Sequence, residues 1–257
     1  MTISLDLIKK VREATGAGIN DVKKALEEAG GNEEKAIEIL RKQGQKIAAK
    51  KAERSANEGV IAFHQKGHKL AVVVLNCETD FVARNQDFLQ AADEFAQKLL
   101  AISKEQFAQW AQDQIQNELI VKIGENIQLN KFDVIEGEVL GSYLHSNKKV
   151  AAVVVLSGGD DQLAKEAAMQ AVAMNPLYLE PQDVPSEVIE KEKEIYLEQL
   201  KREGKPENMV EKILEGKLRK FYTEVCLLKQ PYIKDDKMSI EKLLDGAEVK
   251  RFVRFSL

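Results

Sequence analysis

The stretch LNCETDFVARN, from Leu75 to Asn85, decides the fold of its region. An apolar run from Leu70 to Leu75 leads into it and is typical of a buried β-strand. The pattern then predicts a sharp strand-to-helix corner at Thr79-Asp80-Phe81-Val82, where Thr79 or Asp80 can cap the helix. Beyond the corner, apolar residues recur at helical spacing, at Phe88, Ala91, Ala92, Phe95 and Leu99.

Two interpretations of this corner are open. In the first, Asp80 caps the helix and Phe81 packs beneath the corner as part of the core. In the second, the acidic side chain and the aromatic ring are presented together to a partner. The corner alone favours the first interpretation, because caps and core residues are the common uses of these residue types.

A duplication in the middle of the chain changes that preference. The segments EGVIAFH and KLAVVVLNCETDFV are followed by an Ala-rich helix, and GEVLGSYLH and KVAAVVVLSGGDDQL repeat the order. In this alignment Leu75 matches Leu156, and His64 matches His145. Two units of hairpin plus helix predict an α+β fold. Since the second copy has Gln162 in place of Phe81, the ring is not needed to build the corner, which favours a partner contact.

The N-terminal residues 1–44 predict three short helices, capped by Ser4, Asn20 and Asn32. Such a small bundle is a packing module or a binding module, and the glycine-flanked Ile19 favours contact with a partner. Residues 45–57 are basic and Ala-rich, which predicts a partly helical linker. Lys51 and its basic neighbours either touch an acidic partner or are simply solvated.

Residues 185–228 predict two charged helices joined by a turn at Gly204-Lys205-Pro206, which makes an antiparallel coiled-coil hairpin. Its apolar stripe is narrow, so we expect it to protrude. The alternating segment 249–255 predicts a strand that returns to the core. The predicted domains are the helical module 1–44, linker 45–57, first core subdomain 58–134, discontinuous second core subdomain 135–184 and 229–257, and hairpin 185–228.

Composition excludes several classes of protein. The chain has 257 residues, 44% of them hydrophobic, and a net charge of −4. That charge argues against nucleic acid as the main ligand, and no apolar run is long enough to span a membrane. Two distant cysteines and a start without the features of a secretory signal predict a cytoplasmic protein.

The motifs of common catalytic sites are also missing from the sequence. No GxxxxGK[ST] loop or GxGxxG fingerprint occurs, so we expect no direct nucleotide binding and no cofactor. The three histidines lack the spacing of metal ligands. Cys77 with His64 or His145 could form a nucleophile and base, but Cys77 follows an apolar strand and is typical of a packed residue. We therefore predict no enzyme; a plain binding module for ubiquitin-like folds is the alternative class.

Five motifs together resemble one family, bacterial elongation factor Ts. They cover the chain in order: REATGAGINDVKKAL (12–26), LNCETDFVARN (75–85), KIGENI (122–127), GSYLH (141–145) and QPYIKDD (230–236). The resemblance implies a guanine nucleotide exchange factor for the GTPase elongation factor Tu in translation elongation. It also implies an N-terminal module similar to the ubiquitin-associated fold, and a hairpin used for interaction or for homodimerisation.

The resemblance further implies which residues meet the GTPase in its GDP-bound and nucleotide-free forms. Thr79, Asp80, Phe81 and Val82 would form the working tip: Phe81 would enter an apolar slot, and Asp80 would disturb ligands of the Mg²⁺ ion. Arg12 and Ile19 would contact the GTPase domain from the helical module. His145 would support contacts from the second core unit.

Overall fold

The computed structural model describes residues 3–257, apart from the side chains of residues 47 and 48. Its internal contacts divide the chain into two compact units, 1–135 together with Leu257, and 136–256. Both units contain helices and a three-stranded sheet, which confirms the α+β class. Within the described residues, none of the helices combines the length and the apolar character needed to cross a membrane.

Three helices form the N-terminal part of the first unit, and two of the three predicted caps are confirmed. The Ser4 hydroxyl accepts a hydrogen bond from the Leu7 amide at 3.2 Å, and the Asn32 side chain accepts one from the Lys35 amide at 2.9 Å. Both bonds satisfy amides that a helix start leaves open. The helices are α1 Leu5–Thr15, α2 Ile19–Glu28 and α3 Glu33–Lys51.

The predicted cap at Asn20 is wrong. Helix α2 begins at Ile19, two residues earlier than a cap at Asn20 would place it, and Gly18 occupies the N-cap position without a side-chain hydrogen bond. The Gly18 carbonyl accepts from the amides of Asp21 and Val22, each at 3.0 Å. Ile19 is therefore the first helical residue rather than part of a turn.

The core of the first unit is a sheet covered by helices. The sheet has the order β1-β2-β3, with β1 Glu58–Lys66, β2 Lys69–Cys77 and β3 Gln128–Glu136. Apolar residues of β2, such as Leu75, and of the covering helices, such as Phe88, are fully buried together. The helices are α4 Asp80–Ala83, α5 Gln86–Ala101, α6 Lys104–Gln114 and α7 Ile120–Ile123, the last two joined by a π-helical segment, Ile115–Leu119.

Helix α3 continues through the predicted linker as far as Lys51, because Lys, Gln and Ala are good helix formers. Its later turns pack against the π-helical segment and α7. Gly44 permits this contact, since a Cβ at that position would collide with Cγ2 of Val121. Val121 in turn packs on the apolar core of the three helices. The helical module is thus attached to the first core by packing as well as by the chain.

The second unit repeats the arrangement of hairpin and helix. Strand β5 pairs antiparallel with β4 on one side and with β8 on the other. This pairing brings the last strand back beside one that precedes the helical hairpin. The elements are β4 Val139–Leu144, β5 Val150–Ser157, α8 Asp161–Met174, α9 Ser186–Arg202, α10 Glu207–Val225, β6 Pro231–Tyr232, β7 Asp235–Ser239, α11 Ile240–Leu243 and β8 Glu248–Ser256.

The strand register corrects one detail of the duplication. His64 pairs with Ala71 in the first hairpin, and Tyr143 pairs with the equivalent Ala152 in the second. His64 therefore corresponds to Tyr143, and its match with His145 is wrong. The reason is a longer turn between β4 and β5, which contains His145 and shifts the first strand relative to the second.

Helices α9 and α10 run antiparallel and contact each other. The Lys217 ammonium donates to the Gln199 amide oxygen at 3.2 Å and lies 5.4 Å from the ring centre of Tyr196. Pro185 holds the N-cap position of helix α9, which begins at Ser186.

Candidate functional site

The corner after β2 is built by Thr79. Its hydroxyl oxygen accepts a hydrogen bond from the Val82 amide at 3.4 Å, so Thr79, and not Asp80, is the N-cap of α4. The helix is a single turn that ends at Ala83, and Asn85 then caps α5 through a 2.8 Å bond from the Asp87 amide. Two successive caps fix the path of the chain on both sides of Asp80 and Phe81.

Phe81 does not pack beneath the corner. Its side chain is 83% exposed, whereas Ala83 is buried and Val82 packs against the core of the first unit. The corner is therefore closed by the two residues after the ring. The ring therefore faces solvent at a position that two helix caps hold, where it can meet another surface.

Asp80 carries its charge on the surface beside the ring. Its carboxylate lies 3.1 Å from the Arg84 guanidinium, one helical turn further on; the Arg84 side chain is largely exposed and the Asp80 side chain is partly exposed. An exposed pair of this kind contributes little to stability. Asp80 is thus available to exchange its partner when another surface approaches.

A second segment, which we call the clamp segment (Lys122–Asn126), is hydrogen-bonded to the corner. One carboxylate oxygen of Glu125 accepts from the amides of Glu78 and Thr79 at 2.9 and 3.0 Å. The other oxygen accepts from the Thr79 hydroxyl at 2.6 Å. In return, the Glu78 carboxylate accepts from the Asn126 amide at 2.7 Å. The clamp segment lies within the motif KIGENI (122–127), whose role local pattern does not indicate because its partners are far away in the chain.

The clamp segment also contacts the helical module. Lys122 pairs with Asp87 at 3.2 Å, and its side chain packs against Gly16 at the end of α1. Arg12 lies with Gly16 and Lys122 in the wall of an open cleft of about 420 Å³. The Lys51 ammonium donates to the carbonyl oxygen of Gly124. Lys51 is thus bonded to the segment that holds the corner, and Arg12 lines a cleft together with one of its residues.

The remaining two predicted residues lie elsewhere. Ile19 is 48% exposed at the start of α2. His145 is exposed in the turn of the second unit, where its ring nitrogen accepts a 3.4 Å hydrogen bond from the Asn147 amide. His145 also borders an open cavity of about 440 Å³ with Tyr143 and Ile233.

The equivalent corner of the second unit shows what the first has in addition. Asp160 caps α8 by accepting from the Leu163 amide at 2.8 Å, as Thr79 caps α4. The two residues before Asp160 are glycines with positive φ angles, 82° and 75°. Gln162 is exposed and hydrogen-bonds Glu166 of its own helix at 2.8 Å. The same corner is therefore made with a polar residue in the place of Phe81.

The described part of the chain contains no group of three or more His, Cys, Asp or Glu side chains that could hold a metal ion. Both cysteines are buried, and burial, with a smaller effect of Asp183, raises the pKa of the Cys226 thiol to about 11. A thiol with this pKa is a poor nucleophile at neutral pH.

Known proteins resemble this chain over most of its length. The family model described as "Elongation factor TS" matches residues 78–257. A protein named elongation factor Ts from Deinococcus deserti is 44% identical, covering 98% of this chain and 99% of the relative. Relatives with the same name from a Hydrogenobaculum species and from Idiomarina loihiensis are 43% and 41% identical; both cover 100% of this chain, with 99% and 91% of their own lengths. The chain therefore belongs to the elongation factor Ts family.

Proposed function

We propose that this chain promotes the release of GDP from elongation factor Tu through the corner that carries Asp80 and Phe81. Membership of the family implies a nucleotide exchange factor for elongation factor Tu in translation elongation, which is not an enzyme in the usual sense. The observation that carries the proposal is the 83% exposure of Phe81 on a corner that its own chain holds rigidly.

The proposed mechanism is one of linked equilibria. A translational GTPase holds its nucleotide through phosphate contacts and a Mg²⁺ ion. If the exchange protein binds the nucleotide-free GTPase more tightly than the GDP-bound GTPase, it must lower the affinity for GDP by the same ratio. Phe81 would supply part of that preference by entering an apolar slot that is open only in the nucleotide-free form. Thr79 and Val82 would set the position of the ring from either side.

Asp80 would act on the ion. Since Thr79 caps the helix, the Asp80 carboxylate is left to its surface pair with Arg84. Close to a Mg²⁺ site, a carboxylate competes for the ion or for the groups that hold its ligands. Weaker Mg²⁺ binding would then reduce the affinity for the phosphates of GDP.

The helical module would provide a second contact. Ile19 offers an exposed apolar side chain and Arg12 an exposed cation, both on the described surface of the module. Lys51 is tied to the Gly124 carbonyl, so it would support this contact by fixing α3 as well as by its charge. His145, in the second unit, would add a contact beside the cavity that it borders.

The decisive experiment measures nucleotide release directly. Elongation factor Tu is loaded with a fluorescent GDP analogue, this chain is added in increasing amounts, and release into excess unlabelled GDP is followed. We expect acceleration that saturates with the concentration of the chain. Release at the intrinsic rate, with a folded chain and an active GTPase, would overturn the proposal.

A further inference from the structure

The clamp segment leads to an inference about Glu125, which rests on the proposed function. We propose that Glu125 is a positioning residue: it holds the corner so that Phe81 and Asp80 are presented in one orientation. Glu125 does not belong to the exposed tip and need not touch the GTPase.

The first argument is the set of bonds that converge on one carboxylate. Glu125 accepts three hydrogen bonds, two from successive amides at 2.9 and 3.0 Å and one from a hydroxyl at 2.6 Å. Hydrogen bonds to an ionised carboxylate are stronger than those between neutral groups. Three of them to adjacent atoms of the corner remove its freedom to rotate.

The second argument is a relay into the helix that carries the ring. The Thr79 hydroxyl has a single proton, which it donates to Glu125, and this leaves its oxygen free to accept from the Val82 amide. Glu125 therefore fixes the orientation of the hydroxyl that caps α4. Because α4 is a single turn, its direction depends on this cap more than that of a long helix would.

The third argument is the connection to the helical module. The carbonyl oxygen of Gly124, the residue before Glu125, accepts from Lys51. The side-chain amide of Asn126, the residue after it, donates to the Arg54 carbonyl at 2.7 Å. The clamp segment thus connects the tip with the end of α3. Glu125 would fix the tip relative to the second contact surface as well as to the core.

The test compares Glu125→Ala and the near-isosteric Glu125→Gln with the unchanged chain. The amide of Gln offers one acceptor oxygen where the carboxylate has two, so Gln should retain part of the clamp. In the free protein, hydrogen exchange of the Glu78 and Thr79 amides should become faster, most in the Ala variant. This measurement needs no GTPase and tests the clamp independently of the proposed function.

In the GDP-release assay we expect Glu125→Ala to lower the release rate at saturating factor by roughly fivefold or more. The Gln variant should recover part of this rate. If Glu125 acts through the tip, the same substitution in a Phe81→Ala chain should cause a smaller loss than in the chain that keeps Phe81, because only the effect through Asp80 then remains. A general loss of structure would instead lower the release rate equally in the chain that keeps Phe81 and in the Phe81→Ala chain.

Asp160→Ala is the control, since it disturbs the other corner by removing the cap that corresponds to Thr79. It should leave release unchanged. Fast amide exchange with a normal saturating rate would overturn the positioning role and leave the proposed function intact. Equal losses with and without Phe81 would overturn it too. A wild-type chain without activity would refute the proposed function itself.

Discussion

Phe81 and Gln162 occupy the same position in two equivalent strand-to-helix corners, and both side chains face solvent. The corner therefore places this residue outside the core whichever side chain it carries. An apolar ring here does nothing evident for the folding of the first unit. This relationship gives a direct test of the tip.

We expect Phe81→Ala to preserve the fold and to slow GDP release. Burying one Phe contributes about 1.5–3 kcal/mol, so the loss should lie between roughly tenfold and a hundredfold. Stopped-flow release and thermal unfolding measure the two quantities, with Gln162→Ala as the matched control. A large fall in melting temperature combined with normal release would show that Phe81 is a core residue.

Substitution of Asp80 should depend on the metal ion. Asp80→Ala leaves the cap of α4 in place, because Thr79 provides it, so the fold should be preserved. Release should slow at millimolar Mg²⁺, and the effect should shrink as free Mg²⁺ is lowered. A titration of release rate against Mg²⁺ checks this. An effect of the same size at every Mg²⁺ concentration would mean that Asp80 does not act on the ion.

The contact between Gly44 and Val121 predicts a change of sign. In an ordinary helix, Gly→Ala is stabilising by up to about 1 kcal/mol. Here Gly44→Ala should be destabilising, because the new methyl group meets a β-branched side chain that cannot turn away. In a Val121→Ala chain the same substitution should become neutral or stabilising. Urea unfolding of the four chains tests the prediction. Stabilisation by Gly44→Ala in the chain that keeps Val121 would contradict it.

Shortening the helical hairpin should spare exchange. Replacing residues 201–208 by a short glycine linker removes the turn and keeps the buried Leu200, while α9 and α10 retain the contact of Lys217 with Tyr196. We expect unchanged GDP release, because the proposed tip belongs to the other unit. If the hairpin forms a homodimer, sedimentation should give the shortened chain about half the mass of the full-length protein. Loss of release in a folded, shortened monomer would mean that the hairpin contacts the GTPase.

Substitution of Glu166 should remove a contribution to the stability of the second unit that depends on pH. Burial raises the pKa of Glu166, but hydrogen bonds from Lys234 and Tyr232 outweigh it, and the pKa lies below its usual value of 4.5. A lowered folded-state pKa gives stability that is present above 4.5 and is lost as the pH falls through the folded-state value. Glu166→Gln should therefore cost about 1 kcal/mol at pH 7.

The difference between wild type and Glu166→Gln should shrink as the pH falls below 4.5. Urea unfolding midpoints at several pH values measure it. A difference that stays constant down to pH 3 would show that the charge of Glu166 does not contribute.

Local pattern predicted most elements of this fold from the sequence. The caps at Ser4 and Asn32, the corner at Thr79 and the returning strand β8 all follow from residues adjacent in the chain. The predicted start of α2 is wrong by two residues, because the Gly18 backbone closes the first turn without help from a side chain.

The parts that sequence could not predict depend on distant residues. Glu125 meets Thr79 across 46 positions, and no local pattern marks a carboxylate as the acceptor of a distant amide. The packing of Val121 against Gly44 also joins distant residues, and it is possible because glycine has no Cβ atom. Exposure of Phe81 was inferred from the duplicated corner, a comparison that the sequence itself contains.

The burial of both native cysteines has a practical consequence for spectroscopy. A thiol introduced on the surface would react with a maleimide dye while Cys77 and Cys226 stay protected in the folded chain. Gln86→Cys is suited to this, because Gln86 is exposed at the first position of α5, directly after the corner. A single dye at that site would report the approach of the tip to a labelled GTPase by energy transfer, without removal of any native residue from the core.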